Sequence, residues 1–325
     1  MLTRRAALGG LATAGLFSLS PAQAVESQSG GIETILVPFA AGGPADSAGR
    51  ILGPALSEHL QRTVIVENRA GAGGVTGINA VASSKPDGRM IGFATVGAMA
   101  MAPHMMKGMP FDPTRDLAYI GLIAKVSELL VVSSELPVKT FGEFLDYARR
   151  NPGKVTIAST GTGGIAHLAI ELLKTRAGID VIHVPYRGAA PALVDVLSGQ
   201  VNALIADISV FIGQIKSDRL RPLALAGDKR SPLMPDVPTA AEGGLPGYEV
   251  ENWYGFVAAK DTPAEIQTML NAALNAALKD TKVVRSFNDL GAVPTGGTPE
   301  QFRDFEKAEH ARWGEIIRNA GIKEF

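Results

Sequence analysis

Two glycine-rich turns contain the residue types that could bind an anion. The first lies in VPFAAGGPADSAGR, residues 37–50, and the second lies in KVTIASTGTGGIAHLAIELL, residues 154–173. Each turn follows an apolar run and leads into helix-forming residues, so each places a helix start after a strand. The first N–H groups of a helix have no partner within the helix and attract negative charge. Each turn is therefore a candidate anion site, although such turns also serve simply to close a tight strand-to-helix connection.

One site of this kind holds an anion weakly, by about 0.3–2 kcal/mol. Two sites that face each other across a closing cleft, with charge-assisted hydrogen bonds of about 1.5–3 kcal/mol each, would reach micromolar affinity, about −8 kcal/mol. The pair of turns therefore predicts a carboxylate ligand, or a ligand with two carboxylates.

Three side chains beside these turns each have two interpretations. Asp46 either starts the helix, paired with Arg50 four residues on, or points into the cleft, where it would bind an ammonium group or a bridging water. His167 lies one helical turn beyond the second loop and either donates a hydrogen bond to ligand or packs against the helix. Asp207 ends ALIAD and either caps the next helix or lies in the cleft.

Other kinds of site lack their motifs. GAGGVTG, residues 71–77, is not a dinucleotide fingerprint, and we interpret it as a structural turn, with ligand contact as the alternative. There is no phosphate-binding G-x-x-x-x-G-K-[ST], no G-x-S-x-G and no cysteine, and the five histidines are scattered. We therefore expect no catalytic residues, no metal and no cofactor, and keep a secreted α/β enzyme as the less favoured alternative.

The apolar runs predict an α/β protein with two series of strands joined by helices. The first series has strands at 32–38, 63–67 and 91–95 and helices at 45–60 and 74–83. The second series has strands near 129–133, 155–158, 180–184, 203–207 and 221–226 and helices at about 140–150, 165–176, 189–198 and 209–216. The strand in VENWYGFVAA, before a helical tail that begins near 262, has no obvious partner in the second series. We infer that it returns to the first series, so that the chain crosses twice between two domains and a hinge flanks a central cleft.

The first 24 residues have the pattern of a cleaved export signal, ending at Ala24. Arg4-Arg5 is compatible with a twin-arginine signal or with an ordinary one, and either predicts a periplasmic location. The formal net charge is −1, so nucleic acid is not an expected partner. The apolar stretch 90–106 contains glycine, proline and histidine and is interpreted as a buried strand and loop, so we expect no insertion in a membrane.

Seven segments together resemble the substrate-binding proteins of tripartite tricarboxylate transporters, the Bug family, over nearly the whole chain after residue 24. They are VPFAAGGPADSAGR, VIVENRAGAGGVTG, KPDGRMIGFAT, PFDPTRDLAYIGLIA, PGKVTIASTGTGGIAHLAIELL, VPYRGAAPALVDVLSGQVNALIAD and PDVPTAAEGGLPGYEVENWYGFVAA. The resemblance implies a two-domain periplasmic binding protein of the type 2 class, monomeric and without catalytic activity. Domain 1 would comprise residues 25–124 and 250–325, and domain 2 residues 125–249.

The resemblance also implies a binding mode, in which two loops close as pincers on a small carboxylate. The first pincer is Phe39, Ala40, Ala41, Gly42 and Gly43 with Asp46, the second is Ser159, Thr160, Gly161, Thr162 and Gly163 with His167, and Asp207 falls on the family's cleft aspartate. The loaded receptor would deliver its ligand to a membrane partner of one large and one small subunit, or, as the alternative, to a signalling partner. The relatives accept tricarboxylates, dicarboxylates, amino acids and aromatic or pyridine carboxylates.

Two departures from the family pattern bear on which carboxylate is bound. The second loop reads STGTGGIAHL where many relatives have serine or proline next to the histidine, and Asn202 replaces a usual aspartate.

Overall fold

The computed structural model describes residues 32–227 and 229–319. The predicted export signal, with Arg4-Arg5 and Ala24, lies outside these residues. The strands are β1 (Ile32–Val37), β2 (Thr63–Asn68), β3 (Met90–Thr95), β4 (Leu117–Ser133), β5 (Val155–Ser159), β6 (Val181–Pro185), β7 (Ala203–Asp207), β8 (Leu220–Leu225), β9 (Glu251–Ala259) and β10 (Ala292–Pro294). The α-helices are α1 (Pro44–Leu60), α2 (Val75–Ala82), α3 (Pro113–Asp116), α4 (Phe141–Arg150), α5 (Ile165–Ala177), α6 (Ala189–Leu197), α7 (Ile212–Lys216), α8 (Ala264–Ala277), α9 (Thr281–Asp289) and α10 (Pro299–Asn319).

The strands form one continuous mixed sheet in the order β2-β1-β3-β9-β4-β7-β5-β6, with β8 and β10 also paired to β4. At one end β1 pairs in parallel with β2 and β3, and at the other end β5 pairs in parallel with β6 and β7. The first parallel group is the first predicted strand series, and the second group comprises three strands of the second series, whose other two members, β4 and β8, pair antiparallel with each other. Antiparallel pairing of β9 and β4 joins them, so the α/β architecture predicted from the apolar runs is confirmed.

The strand β4 is the longest in the sheet and passes from one parallel group to the other. Its residues 117–127 pair with β9, whereas residues 128–132 pair with β7. The prediction of a strand only at 129–133 was wrong at its start, because Lys125 and Glu128 interrupt the apolar run that marks a buried strand. The predicted crossing near residue 124 therefore falls inside a strand, three residues before its partner changes.

The return strand β9 pairs with β3 on one side and with β4 on the other. The inference that this segment brings the chain back to the first strand series is therefore confirmed. It is buried at nearly every position from Asn252 onward, as expected for a central strand that has helices on both faces.

The remaining differences from the predicted elements are local. The predicted helix at 209–216 is a 3₁₀ turn, Ile208–Val210, followed by α7. The stretch after β3 is a π-helical turn, Gly97–Met101, rather than a loop. The helical tail is interrupted by β10, which pairs with β4. Within α8, Leu270, Ala273, Leu274 and Ala277 are buried and Ile266 is partly buried, so one face of the helix packs on the core.

Candidate functional site

A cavity lies where the carboxyl ends of central strands meet the starts of three helices. Its lining residues are Phe39, Ala40, Gly43, Pro44, Ala45, Thr95, Glu128, Thr160, Gly164, Ile165, Gly188, Ala189, Ala206, Asp207, Asn252 and Tyr254. This is the position at which open α/β sheets bind ligands. Both glycine-rich turns predicted from the sequence contribute residues to this one cavity.

The helices α1, α5 and α6 all begin at this cavity, and each has glycine at its N-cap: Gly43, Gly164 and Gly188. Within the described chain, no side chain hydrogen-bonds in the capping position at any of the three starts. N–H groups in the first turn of a helix lack intrahelical partners, so the three starts together favour an anion. Gly188, in PYRGAAP, was not predicted, although its pattern of a glycine before a helix-forming run is the same signal.

The two predicted turns have the same backbone geometry. Gly42 and Gly163 have positive φ values, +85° and +80°, and Gly43 and Gly164 follow with φ −88° and −85° and ψ 174° and 172°. The shared sequence pattern is G-G-x-A followed by a polar residue, GGPAD and GGIAH. A left-handed glycine followed by an extended glycine is therefore the element that aims each helix start at the cavity.

The polar residue of this pattern closes each turn from within. The N–H of Gly42 donates to Asp46 Oδ2 at 2.9 Å, and the N–H of Gly163 donates to His167 Nδ1 at 3.1 Å. In both cases the side chain lies in the first turn of the helix and reaches back four residues to the backbone. Asp46 and His167 thus occupy equivalent positions and hold the loops in shape, as the glutamate of a capping box does.

Asp46 has a full set of partners inside its own loop. Arg50 Nε donates to Oδ2 at 2.9 Å, and Asn68 Nδ2 donates to Oδ1 at 2.9 Å. Burial opposes ionisation, but the hydrogen bonds from Arg50, Gly42 and Asn68 outweigh it and lower the pKa of Asp46. Its carboxylate does not line the cavity. Of the two interpretations of Asp46, the geometry favours the one in which it starts the helix.

His167 belongs to a buried group that supports the second loop. Its ring stacks on that of His183, with centroids 4.1 Å apart, and His183 Nε2 lies 2.6 Å from Ser159 Oγ. Burial lowers the pKa of both histidines, that of His183 to about 3, so both rings are neutral near pH 7. His183 was not predicted as part of the site, because its link to Ser159 depends on the pairing of β5 with β6.

The floor of the cavity is acidic. Glu128 on β4 and Asp207 on β7 are direct cross-strand partners and are only 1% and 5% exposed. Asn252 Nδ2 donates to Asp207 Oδ1 at 3.0 Å. Burial is the main cause that raises the pKa of both carboxyls, and the charge of Asp207 adds to the effect on Glu128. Asp207 was predicted from the sequence, whereas Glu128 was not, because a single glutamate in an apolar strand has no motif.

The predicted site residues divide into two groups. Phe39, Ala40, Gly43, Thr160 and Asp207 line the cavity, whereas Ala41, Gly42, Asp46, Ser159, Gly161, Thr162, Gly163 and His167 do not. Gly161 and Thr162 line a second cavity of about 440 Å³, which shares Phe39 and Thr160 with the first. Asn202, one of the departures from the family pattern, bonds Thr156 and lines neither cavity.

Close backbone contacts lie beside the first cavity, next to its lining residue Gly164. A Cβ atom at Gly73 would lie 2.5 Å from the carbonyl oxygen of Thr162, and one at Gly97 would lie 2.9 Å from Gly164 Cα. The segment 71–74, interpreted as a structural turn, therefore packs directly on the second loop. The free space in this cavity is about 40 Å³, room for about three water molecules and far below the roughly 300 Å³ of an ordinary ligand pocket. The backbones on the two sides of the cleft are in contact at these glycines.

Neither a metal centre nor a membrane span is found in the described part of the chain. Within residues 32–227 and 229–319, no three histidine, aspartate or glutamate side chains are placed to hold a metal ion. Over the same residues, every helix is too short or too polar to cross a bilayer.

The fold and the cavity define a two-domain solute-binding protein. Two groups of parallel strands are joined by antiparallel crossing strands, and the cavity lies where the groups meet. A model of the family described as tripartite tricarboxylate transporter family receptor matches residues 49–322, and the chain belongs to that family. Its members are periplasmic binding proteins, so the chain is a receptor and not an enzyme, and the resemblance inferred from the seven segments is confirmed.

Relatives with known names support the same assignment. The chain is 37% identical over 315 residues to the UPF0065 protein in the tcbD-tcbE intergenic region of Pseudomonas sp. strain P51, which covers 97% of this chain and 94% of that one. It is 36% identical over 290 residues to Protein BugT of Bordetella pertussis, with 89% of each chain covered.

Three solved structures share the fold. The periplasmic binding protein BugD has a TM-score of 0.87 at 33% identity, covering 90% of this chain and 99% of that chain. Rpa4515 of R. palustris, solved with adipate, has a TM-score of 0.87 at 34% identity, with coverages of 90% and 99%. MatC of Rhodopseudomonas palustris, solved with bound malate, has a TM-score of 0.85 at 30% identity, with coverages of 88% and 98%.

Proposed function

We propose that this protein captures a small carboxylate in the periplasm by closing its two domains on it, and delivers it to a membrane transporter of one large and one small subunit. The observation that carries the proposal is the convergence of three helix starts, each with a glycine N-cap, on one cavity. The ligand's carboxylate would accept hydrogen bonds from the first-turn N–H groups.

The relatives support the chemical class of the ligand. Adipate and malate, found in Rpa4515 and MatC, are both small dicarboxylates. In this chain the carboxylate contacts would come from the loops that contain Phe39–Gly43 and Ser159–Gly163. Asp46 and His167 would act by holding those loops, and Asp207 would face the ligand from the floor.

The strand pairing supports a proposal for the two domain boundaries. We place the first crossing between residues 127 and 128, where β4 exchanges β9 for β7, and the second before β9 at residue 251. The cleft would open and close by bending of β4 and β9 at these points, since both strands run through the boundary. An export signal ending at Ala24 completes the proposal.

Calorimetric titration of the purified protein tests the proposal. The panel consists of adipate, malate, succinate, citrate, aspartate, glutamate and benzoate, with the uncharged diol 1,4-butanediol as the control. At least one carboxylate is expected to bind with a Kd of about 1 μM or tighter, and the diol is expected not to bind. Absence of binding by every member of the panel would contradict the proposed ligand class.

A further inference from the structure

We propose that the Glu128–Asp207 pair makes this receptor selective for a zwitterion, a carboxylate that also carries an ammonium group, over the corresponding simple carboxylate. The inference rests on the proposed function and narrows its ligand class. It assigns the two charged ends of the ligand to two opposite sides of one cavity.

The helix starts form the side that favours an anion. Gly43, Gly164 and Gly188 are the N-caps of helices of 17, 13 and 9 residues, long enough for each to have a positive N-terminal end. All three line the cavity together with the acidic floor. A carboxylate bound here would satisfy the first-turn N–H groups.

The floor of the cavity favours a cation instead. Glu128 and Asp207 are cross-strand partners, and two buried carboxyls in contact share one proton rather than ionise together. The pair therefore holds about one negative charge near neutral pH. Among the described residues that line the cavity, none is a lysine, an arginine or a histidine, so no side chain there neutralises this charge.

Three buried oxygens at the floor also lack partners. Glu128 Oε2, Asn252 Oδ1 and Thr95 Oγ1 are buried in residues that are 1%, 6% and 3% exposed, and within the described chain none of the three has a hydrogen-bond partner. All three residues line the cavity. Two of these oxygens, those of the glutamate and the asparagine amide, are pure acceptors, and an ammonium group supplies three donors. Leaving such atoms unpaired is costly, so the ligand itself is expected to supply the donors.

A simple dicarboxylate fits this cavity less well. One of its carboxylates would be accepted at the helix starts, but the remaining charge would be repelled by the ionised pair at the floor. An amino acid presents a cation to the floor instead. Asp46, the other carboxylate considered as a partner for an ammonium group, is already bonded to Arg50, Asn68 and Gly42.

Matched ligands that differ only in the amino group test the inference. Calorimetry near neutral pH compares aspartate with succinate, glutamate with glutarate, and 5-aminovalerate with valerate, for the purified protein and for the double variant Glu128→Gln, Asp207→Asn. The unmodified protein is expected to bind the amino member of at least one pair about tenfold or more tightly than its partner. In the double variant, which removes the charge that the pair shares, this preference is expected to fall about tenfold, while affinity for the simple carboxylate stays the same or improves.

A control separates this effect from a general change of charge. Glu251→Gln removes a carboxylate from the neighbouring strand β9, where the side chain is 45% exposed and paired with Lys125 outside the cavity, and is expected to leave the preference unchanged. Preference for succinate, glutarate or valerate in the unmodified protein would overturn the inference and leave the proposed function intact. An unchanged preference in the double variant, or the same change in Glu251→Gln, would also overturn it. Binding of none of the six ligands would overturn the inference, whereas the proposed function is overturned only if adipate, malate, citrate and benzoate also fail to bind.

Discussion

At the scale of single residues, the Glu128–Asp207 pair is a site where two carboxyls are held together at a cost in stability. Like charges directly opposite on neighbouring strands are unfavourable, and burial adds to the effect. The pKa of Glu128 is raised well above its ordinary 4.5, and that of Asp207 is raised to about 6. Functional sites commonly retain such pairs because ligand binding offsets their cost in stability.

The raised pKa values predict a specific pH dependence of stability. The native protein holds the Glu128 proton more tightly than the unfolded chain, so stability is greatest below the ordinary pKa of 4.5 and falls as the pH rises from there through the raised pKa. The loss is up to about 1.4 kcal/mol per pH unit in that window. Glu128→Gln keeps the shape and the hydrogen-bond donor without an ionisable group. In the absence of ligand it is expected to be more stable than the unmodified protein at about pH 8 and nearly equal at about pH 4.5.

Urea unfolding of both proteins across this range measures the difference. A stability difference that does not change with pH would show that the pKa of Glu128 is the same in the native and the unfolded protein. Sequence reasoning could identify Asp207, which ends a strand before a helix, but not Glu128. The role of Glu128 depends on which residue of β7 lies opposite it, and no local sequence pattern encodes that register.

At the scale of elements, the two strand-to-helix turns were the most predictable part of the site. Glycine pairs after apolar runs signal the turn, and the structure adds that the two turns have nearly equal dihedral angles. The sequence did not predict which side chain in each turn holds the loop in shape and which residues line the cavity. Asp46 and His167 differ in charge, yet each accepts the N–H of the glycine four residues earlier. Strand β4 was predicted too short for a similar reason, since its two halves have different partners and no single periodic pattern.

Alanine substitutions at two neighbouring glycines of the first turn are predicted to have different effects, one on stability and the other on ligand binding. Gly42 has φ +85°, and a Cβ atom added to it would have no neighbour within 4 Å, so Gly42→Ala is expected to lose about 1–2 kcal/mol of stability from backbone strain alone. Gly43 has φ −88°, and its Cβ would lie 3.7 Å from the carbonyl oxygen of Ala40, so Gly43→Ala is expected to fold normally. Because Gly43 lines the cavity, the same change is expected to weaken ligand binding about tenfold.

Chemical unfolding and calorimetric titration of both variants check this pair, and each variant is the control for the other. Equal losses of stability would contradict the assignment of Gly42 as the position that requires a left-handed backbone. Undiminished affinity in Gly43→Ala would contradict close approach of the ligand to the first helix start.

At the scale of the whole molecule, the sequence sufficed to predict two strand series, a return strand and a central cleft. The position at which the cleft is closed could not be predicted, because it depends on contacts between glycines more than sixty residues apart in the chain. Gly73 lies against Thr162 and Gly164, and Gly97 lies against Gly164 and Ile165. These contacts join the first strand series to the start of α5, and they can form only because Gly73 and Gly97 lack a side chain.

Gly97→Ala is predicted to oppose closure without disturbing either domain. Its Cβ would lie 2.9 Å from Gly164 Cα and 3.1 Å from the nitrogen of Ile165, and backbone atoms cannot move aside as a side chain does. Such a contact costs about 1–3 kcal/mol in the closed form only, so ligand affinity is expected to fall about tenfold or more while the stability of the ligand-free protein is unchanged. Calorimetry measures the affinity, and small-angle scattering with saturating ligand is expected to show a larger radius of gyration than for the unmodified protein.

Gly213→Ala, in α7 with nothing within 4 Å of its Cβ position, is the control and is expected to behave as the unmodified protein. If Gly97→Ala instead destabilised the ligand-free protein by as much as it weakened binding, the glycine contacts would belong to one rigid body and closure would not be the step that captures the ligand.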